Sequence, residues 1–296
     1  MNRRIEIKMK KTALFGPGGN SESFYASGKK ATLEAPAWLA SIGLGAYEYQ
    51  AGNGLTAGIA TLRAIGEKAK EHGIAMSLHT PYFISLASAE EEKRLKSVDY
   101  IRRSLTAAEA LNADTIVIHC GGVAKMSRDT GMAHSKETLS LLLSDLPTDL
   151  TIRLGLETMG KINQLGTVEE VIELCRLDPR LYPVVDWGHL NARNLGGYFV
   201  TSDDYRRVFD EIGSALGDSY ANTLHCHFSK IEYTNSGEKK HLTFEDTVFG
   251  PDFEPLAEAI AKENLAPRII CESAGTMAED ALAMQEMYRR AMEHLA

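Results

Sequence analysis

Six short apolar runs in this chain each end in a side chain that can bind a metal ion. They are AMSLH ending at His79, TIVIH at His119, RLGLE at Glu157, YPVVD at Asp186, NTLHCH at His225 and His227, and RIICE at Glu272. Imidazole and carboxylate groups are common protein ligands of zinc and manganese. The runs recur roughly every 30 to 45 residues, as the strands of a (β/α)8 barrel do. The pattern therefore predicts a metal site at the carboxyl ends of successive strands.

The same runs belong to a longer alternation of strand-like and helix-like segments. Eight strands are predicted near residues 12–16, 46–50, 75–80, 115–120, 153–158, 181–187, 223–228 and 268–273. The segments between them, such as 56–73 and 90–112, have the 3.6-residue periodicity of amphipathic helices. Alternating strands and helices predict a parallel sheet, and eight units favour its closure. The predicted fold class is therefore α/β, a single (β/α)8 TIM barrel.

Side-chain alternation along a strand predicts which way the ligands point. Residues i and i+2 share a face, so His225 and His227 point the same way. Glu157 likewise shares a face with the small residue Gly155. A charged group that faced the apolar helix layer would be costly, so we expect these side chains to point into the barrel.

Two further histidines follow these strands. His189 lies three residues after Asp186, just above the end of that strand. His241 lies in a loop of about 24 residues before the next predicted helix, and so long a loop in a compact domain is usually functional. We therefore add both histidines to the candidate metal ligands.

Length, composition and charge bound the class of protein. The chain has 296 residues, 44% of them apolar and 24% charged, which suits one soluble barrel. No apolar run approaches the roughly 18 residues of a membrane span. The four cysteines are interpreted as small residues in a reducing cytosol, which predicts a cytoplasmic location. The net charge of −8 argues against a nucleic-acid surface, but bound divalent cations would reverse the charge locally.

Domain organisation is predicted to be simple. No linker or change of composition interrupts the chain, so residues 1–296 are predicted to form one domain, and we expect a monomer. The basic segment at 1–10 lacks the apolar stretch of a secretory signal and is interpreted as an N-terminal extension. The sequence contains no GxGxxG, HExxH, CxxC or GxSxG motif, so a dinucleotide fold, a zincin, a zinc ribbon and an α/β-hydrolase lack support.

With these residues in view, the chain resembles the endonuclease IV family of apurinic/apyrimidinic endonucleases, within the xylose isomerase-like barrels. The similarity runs from about residue 46 to 273, and its segments are HTPYFISLAS, VIHCGG, LETMGK, VVDWGH, HCHFSK and CES. The resemblance implies three ligand sets for Zn²⁺: His79, His119 and Glu157; Glu157, Asp186, His225 and Glu272; and His189 with His241. Glu157 would bridge two ions and orient the nucleophile, which makes it the candidate catalytic residue.

The resemblance also implies the chemistry and the partner. Zinc lowers the pKa of water enough to supply hydroxide for in-line attack on a phosphate. The expected partner is damaged duplex DNA, cleaved 5′ to an abasic site, with two or three zinc ions bound or Mn²⁺ in their place. Tyr82 matches the aromatic residue that such enzymes insert into the DNA stack. Inserting it costs least where a base is already missing.

The chain departs from the family pattern at three places. Lys239 stands where the third ion would take an aspartate, and an ammonium group cannot bind a metal. His227 is the candidate replacement. The first strand continues into FGPGGNSE rather than a histidine-containing motif, and the loop QAGNGLTAG lacks the arginine and aromatic residues that the family uses against DNA.

Two other functions stay open at this point. The first is a sugar isomerase or epimerase of the same superfamily, with one ion of the Mn²⁺, Co²⁺ or Mg²⁺ type on Glu157, Asp186, His225 and Glu272. That chemistry has no need of His79, His119 and His241, so these residues favour phosphoester hydrolysis. The second is a barrel that binds metal or damaged DNA without turnover.

Overall fold

The structure, a computed structural model, describes residues 12–295, and the predicted extension at 1–10 lies outside them. The barrel strands are β1 (Leu14–Pro17), β2 (Ala46–Gln50), β3 (Ala75–His79), β4 (Thr115–His119), β5 (Arg153–Glu157), β6 (Leu181–Asp186), β7 (His225–Phe228) and β10 (Arg268–Cys271). A separate antiparallel hairpin is formed by β8 (Ile231–Thr234) and β9 (Gly237–His241). Each of the eight predicted strands overlaps an observed one.

Helices connect the strands and cover the outside of the barrel. They are α1 (Glu22–Ala26), α2 (Ala35–Ile42), α3 (Ile59–Glu71), α4 (Glu91–Ala110), α5 (Arg128–Ser144), α6 (Val168–Cys175), α7 (Trp187–Arg193), α8 (Ser202–Leu216), α9 (Asp218–Asn222), α10 (Glu254–Lys262) and α11 (Met277–His294). One 3₁₀ helix spans Thr32–Glu34. Among the described residues, no helix combines the length and the apolar character needed to span a membrane.

The eight parallel strands form a nearly closed barrel. Their order is β2-β3-β4-β5-β6-β7-β10-β1, and β1 meets β2 through a parallel bridge between Gly18 and Glu48. The backbones come very close at this junction, since a Cβ added to Gly16 would lie 1.8 Å from the carbonyl oxygen of Ala46. Any residue with a Cβ at position 16 would clash with β2, so only glycine lets the barrel close at this junction. The predicted TIM barrel is confirmed.

The apolar core lies mainly between the strands and the helices. The outward-facing residues of the strands are buried there, among them Leu78, Ile118, Leu156 and Cys226. All four cysteines of the chain are buried as free thiols. Near the carboxyl ends of the strands, the inner face of the barrel carries polar side chains instead. The apolar core therefore holds the helices on the strands, and the polar mouth is available for chemistry.

The start of α7 is fixed by both capping and packing. Asp186, the last residue of β6, is the N-cap, and its Oδ1 accepts a hydrogen bond of 2.7 Å from the backbone N–H of His189. Trp187 is fully buried, and its ring lies 5.3 Å from those of Tyr205 and Phe209. Turning directly from strand into helix holds Asp186 and His189 together at the mouth.

The long segment after β7 is a hairpin rather than an irregular loop. A bulge between Glu232 and Tyr233 shifts the pairing of β8 with β9. The turn docks on the loop after β5, where the N–H of Glu238 donates to the carbonyl of Gly160 at 3.0 Å. Gly237 has a φ of +88°, and a Cβ there would lie 2.2 Å from that carbonyl oxygen. The hairpin therefore reaches across the mouth of the barrel.

Candidate metal centre

A cavity of about 520 Å³ opens at the carboxyl ends of the strands. Five of the predicted ligands contribute to its wall: His79, His119, His189, His241 and Glu272. Glu157, Asp186 and His227 lie beneath it and are almost completely buried. The candidate ligands at strand ends are therefore brought together, but they fall into groups that differ in part from the predicted ones.

The first group consists of His79, His119 and Glu157, the same three residues that the resemblance puts together. Oε2 of Glu157 lies 2.9 Å from Nε2 of His119 and 3.5 Å from Nε2 of His79. Nδ1 of His79 donates to the carbonyl of Thr80 at 2.8 Å, so the neutral ring has its lone pair on Nε2, the nitrogen that faces Glu157. Burial opposes ionisation of Glu157, but His227 and His119 hold the pKa of its carboxyl well below the usual range.

The second group consists of Glu157, Asp186, His227 and Glu272. Nδ1 of His227 lies 2.8 Å from Oε1 of Glu157 and 3.5 Å from Oε1 of Glu272. One ligand atom from each of the four residues lies within 4.8 Å of the others. Glu157 thus belongs to both groups and is the geometric link between them.

His225 is not in the second group, where the family resemblance had put it. It starts β7 and pairs with Val184 of β6, whereas His227 pairs with Asp186 at the mouth. His225 therefore lies one inward-facing layer deeper, and its Nε2 is 2.9 Å from Oε2 of Glu48. His227, not His225, lies with Glu157, Asp186 and Glu272. His227 is also absent from the third group, where it was the candidate replacement for the missing aspartate.

The third group consists of His189, Glu238 and His241. Nε2 of His189 lies 3.5 Å from Oε2 of Glu238. The other ring nitrogen of each histidine is hydrogen-bonded. Nδ1 of His189 lies 3.0 Å from the carbonyl of Thr158, and Nδ1 of His241 lies 2.8 Å from Oγ of Ser229. A metal-binding histidine is commonly oriented in this way.

Glu238 was missed by sequence reasoning, which considered position 239. Because the hairpin has a bulge, Glu238 points to the mouth and Lys239 points away, where its Nζ lies 2.5 Å from Oε1 of Glu232. The third group therefore has a carboxylate after all. The available signal was the glutamate next to Lys239 in GEKKH, but the register that turns it inward is set by the hairpin.

Glu48 in the middle of β2 is the second residue that sequence reasoning missed. It is fully buried, and its carboxylate accepts hydrogen bonds from Ser77 Oγ at 2.9 Å, His225 Nε2 at 2.9 Å and Gln50 Nε2 at 3.3 Å. Burial opposes its ionisation, but His227 and His225 hold the pKa of Glu48 well below the usual range. A charge inside the strand AYEYQ was the available signal.

The donor set fits divalent cations. Oε2 of Glu157 and Oδ2 of Asp186 are buried without a hydrogen-bond partner in the described part of the chain, although buried polar atoms are normally paired. Burial lowers the pKa of His189, but Asp186 and Glu238 raise it, with a net rise to about 9. Both observations indicate an excess of negative charge that bound cations would offset. Mixed imidazole and carboxylate ligands suit Zn²⁺ or Mn²⁺.

Tyr82 lies at the rim of the cavity. Its side chain is 56% exposed, and its ring stacks on that of His119 with centroids 5.7 Å apart and planes at 28°. The Tyr82 backbone N–H donates to the carbonyl of Gly52 at 3.0 Å. The ring therefore stands beside the first group with one face available to a ligand.

Two further groups overlap these three: His79, His227 and Glu272 at the mouth, and Glu48, His225 and His227 one layer below. The fold and the mouth define the protein as a (β/α)8 barrel with adjoining, overlapping groups of candidate metal ligands. Residues 36–296 match the family model described as xylose isomerase-like TIM barrel, and the chain belongs to that family.

Sequence relatives include probable endonucleases and a protein without an assigned activity. An uncharacterized protein of Methanocaldococcus jannaschii is 29% identical, over 84% of this chain and 89% of its own length. A probable endonuclease 4 of Lysinibacillus sphaericus is 27% identical over 76% of both chains. A probable endonuclease 4 of Carboxydothermus hydrogenoformans is 34% identical, over 58% of this chain and 60% of its own length. The resemblance to the endonuclease IV family is thereby confirmed.

Solved structures repeat the fold in two kinds of protein. Endonuclease IV from Thermus thermophilus has a TM-score of 0.65 at 17% identity, covering 96% of this chain and 99% of its own. A D-tagatose 3-epimerase-like protein has a TM-score of 0.67 at 19% identity, covering 87% of this chain and 92% of its own. At these identities the likeness concerns the fold, which hosts more than one chemistry.

Proposed function

We propose that the protein is a metal-dependent phosphodiesterase that cleaves duplex DNA 5′ to abasic sites. The observation that carries the proposal is the position of Glu157 in two ligand groups at once, one with His79 and His119 and one with Asp186, His227 and Glu272. Adjacent groups that share a carboxylate suit the multi-ion centres of phosphoester hydrolysis. Zn²⁺ bound there would activate water for attack on phosphorus and offset charge on the phosphate oxygens.

The protein's own residues would prepare the site for an anionic substrate. His189, Glu238 and His241 would hold the third ion. The Glu238 carboxylate would supply the negative charge that the family takes from an aspartate at the position of Lys239. Glu157, between the two other groups, would orient the nucleophile. Lys161 lines the cavity and would meet a phosphate oxygen. Together with bound cations it would make a mouth rich in carboxylates attractive to DNA.

Tyr82 would recognise the gap in the DNA. With one ring face on His119 and 56% of its surface exposed, it is oriented to fill the space of a missing base. Stacking of this kind is worth about 1–3 kcal/mol per base. It would bind an abasic site better than an intact duplex, in which a base must first be displaced.

The test is cleavage of a duplex that carries one tetrahydrofuran abasic analogue, with zinc-loaded and chelator-stripped protein side by side. We expect zinc-dependent nicking 5′ to the analogue and its loss in Glu157→Gln. Glu173→Gln serves as the control, because Glu173 is a half-exposed carboxylate on α6 that pairs with Lys136 of α5 in the helix layer. Absence of nicking by protein shown to carry its metal would overturn the proposal.

The second candidate is a single-ion sugar epimerase or isomerase. It is favoured by the second group, in which Glu157, Asp186, His227 and Glu272 supply one ion with two glutamates, an aspartate and a histidine. Two of these carboxylates would then exchange a proton with the sugar. Epimerisation of ketohexoses by protein loaded with Mn²⁺ or Co²⁺, without nicking of the abasic duplex, would select this function.

A further inference from the structure

Glu48 is a buried carboxylate in a place where barrels usually have apolar side chains. It lies on β2 at the level of Ser77 on β3, one layer below the mouth, and is 0% exposed. In the part of the chain that the structure describes, its ion-pair partners are two histidines, His225 at 2.9 Å and His227 at 3.0 Å. A buried charge balanced by imidazoles alone contributes little to stability. Its position therefore indicates a functional role.

His227 lies between Glu48 and the second metal group. Its Nδ1 points to Glu157 at 2.8 Å, and its Nε2 lies 3.0 Å from Oε1 of Glu48. Neutral imidazole carries one proton, so one ring nitrogen can bind a metal ion only while the other holds the hydrogen. In the described part of the chain, Nδ1 donates to Oε1 of Glu157 and Nε2 has no hydrogen-bond partner. A metal ion bound at Nδ1 would shift the hydrogen to Nε2, where the Glu48 carboxylate at 3.0 Å would accept it.

Glu48 is itself held in place from below. Ser77 Oγ and His225 Nε2 both donate to its Oε2 at 2.9 Å, which leaves Oε1 directed at His227. The side chain of Gln50 adds a weaker donor at 3.3 Å, from the cavity side. Ser77 and His225 in the barrel interior thus hold the Glu48 carboxylate, and Glu48 in turn contacts His227, the candidate metal ligand.

We infer that Glu48 is a positioning residue for the metal centre, which fixes His227 as an Nδ1 ligand. His225 supports Glu48 and is not a ligand. The inference rests on the metal centre of the proposed function but not on its substrate. Loss of an oriented carboxylate behind a histidine ligand typically weakens metal binding about 10–100-fold.

The test compares Zn²⁺ binding by the wild-type chain, Glu48→Ala and Glu48→Gln, with Glu173→Gln as the control. Competition with a chromophoric chelator gives the affinity of each ion, and Co²⁺ substitution gives a visible spectrum that reports ligand geometry. We expect Glu48→Ala to bind one ion on the order of 100-fold more weakly and to change the Co²⁺ bands. Glu48→Gln should lose about tenfold, because its amide oxygen still accepts from Nε2–H without the charge.

The outcomes separate this inference from the proposed function. Wild-type affinity and spectra in both Glu48 variants would overturn the inference, as would loss of all ions together with the far-UV circular dichroism of the barrel in both. Selective weakening of one ion by a variant that keeps its fold supports it. If the wild-type chain bound its ions but did not nick the abasic duplex, the proposed function alone would fail.

Discussion

His225 and His227 lie on the same inward face of β7 and both contact Glu48, but only His227 also contacts Glu157. His227 meets Glu157 at the mouth at 2.8 Å, and His225 meets Glu48 one layer below at 2.9 Å. Pairing with β6 sets this difference in depth, because His227 is level with Asp186 and His225 with Val184. Two residues of one type on one face thus have separate tasks.

The pair gives the first prediction. His227→Asn should lose about one equivalent of bound metal, because it removes a ligand of the second group. His225→Asn should keep the full stoichiometry, since that ring contacts Glu48 and not the group. Metal per protein after exhaustive dialysis, measured by inductively coupled plasma mass spectrometry, tests both variants. Equal losses in the two would contradict the assignment.

The hairpin gives a second matched pair, Glu238→Gln and Lys239→Ala. We expect Glu238→Gln to weaken the third ion by at least about tenfold, because a neutral amide replaces the carboxylate beside His189. Lys239→Ala should leave metal binding unchanged, since its ammonium group is paired with Glu232 on the outer side. Metal titration of the two proteins decides the matter. An effect of Lys239→Ala as large as that of Glu238→Gln would show that the hairpin register differs in solution.

Tyr82 gives a prediction about substrate recognition. Tyr82→Ala should weaken binding of the abasic duplex by about 10–100-fold, in line with the loss of one stacking contact of about 1–3 kcal/mol. Its metal content should stay the same. The control is Phe83→Ala, because Phe83 is similarly exposed at 51% but packs on Tyr100, with ring centroids 4.6 Å apart. Fluorescence anisotropy with a labelled duplex measures both, and equal losses would argue against a role for Tyr82 alone.

The amino-terminal end of the barrel gives a prediction about pH. Arg268 donates two hydrogen bonds to Asp114, of 2.8 and 2.6 Å. Burial raises the pKa of Asp114, but Arg268 lowers it further, to about 2. Because the folded-state pKa is below the unfolded value of about 3.9, the stabilisation is present above about pH 4 and is lost as the pH falls towards about 2.

We therefore expect Asp114→Asn to lower the free energy of unfolding near pH 6. The effect should be at most about 1 kcal/mol, because the carboxylate is 55% exposed and screened by solvent. The difference from wild type should shrink below about pH 4. Urea unfolding of metal-free protein at pH 6 and pH 3.5 tests this, and a difference that grew on acidification would contradict it.

The barrel could be predicted from the sequence because its strands end in the same kinds of residue at regular intervals. Candidate ligands at strand ends, such as His79 and His119, were identified for that reason. Depth within a strand was not predictable, since alternation fixes the face of His225 but not its level relative to β6. Glu48 lies in the middle of its strand, outside the pattern of strand ends.

Glu238 was not predictable for a different reason. Its orientation depends on a bulge in a hairpin and on the contact of Gly237 with Gly160. These are tertiary features that join the segment after β7 to the loop after β5. A single sequence shows the length of that segment, but not the register in which it folds.

The spread of the second group along the chain has a consequence for biosynthesis. Its members come from β5, β6, β7 and the end of β10, and the barrel closes where β1 meets both β10 and β2. A nascent chain that lacks the final strand has no Glu272 to offer. An ion that bound only the complete set would therefore stabilise only the finished barrel, by mass action. If the proposed ions bind, their supply during synthesis would affect how much of the chain reaches the closed barrel.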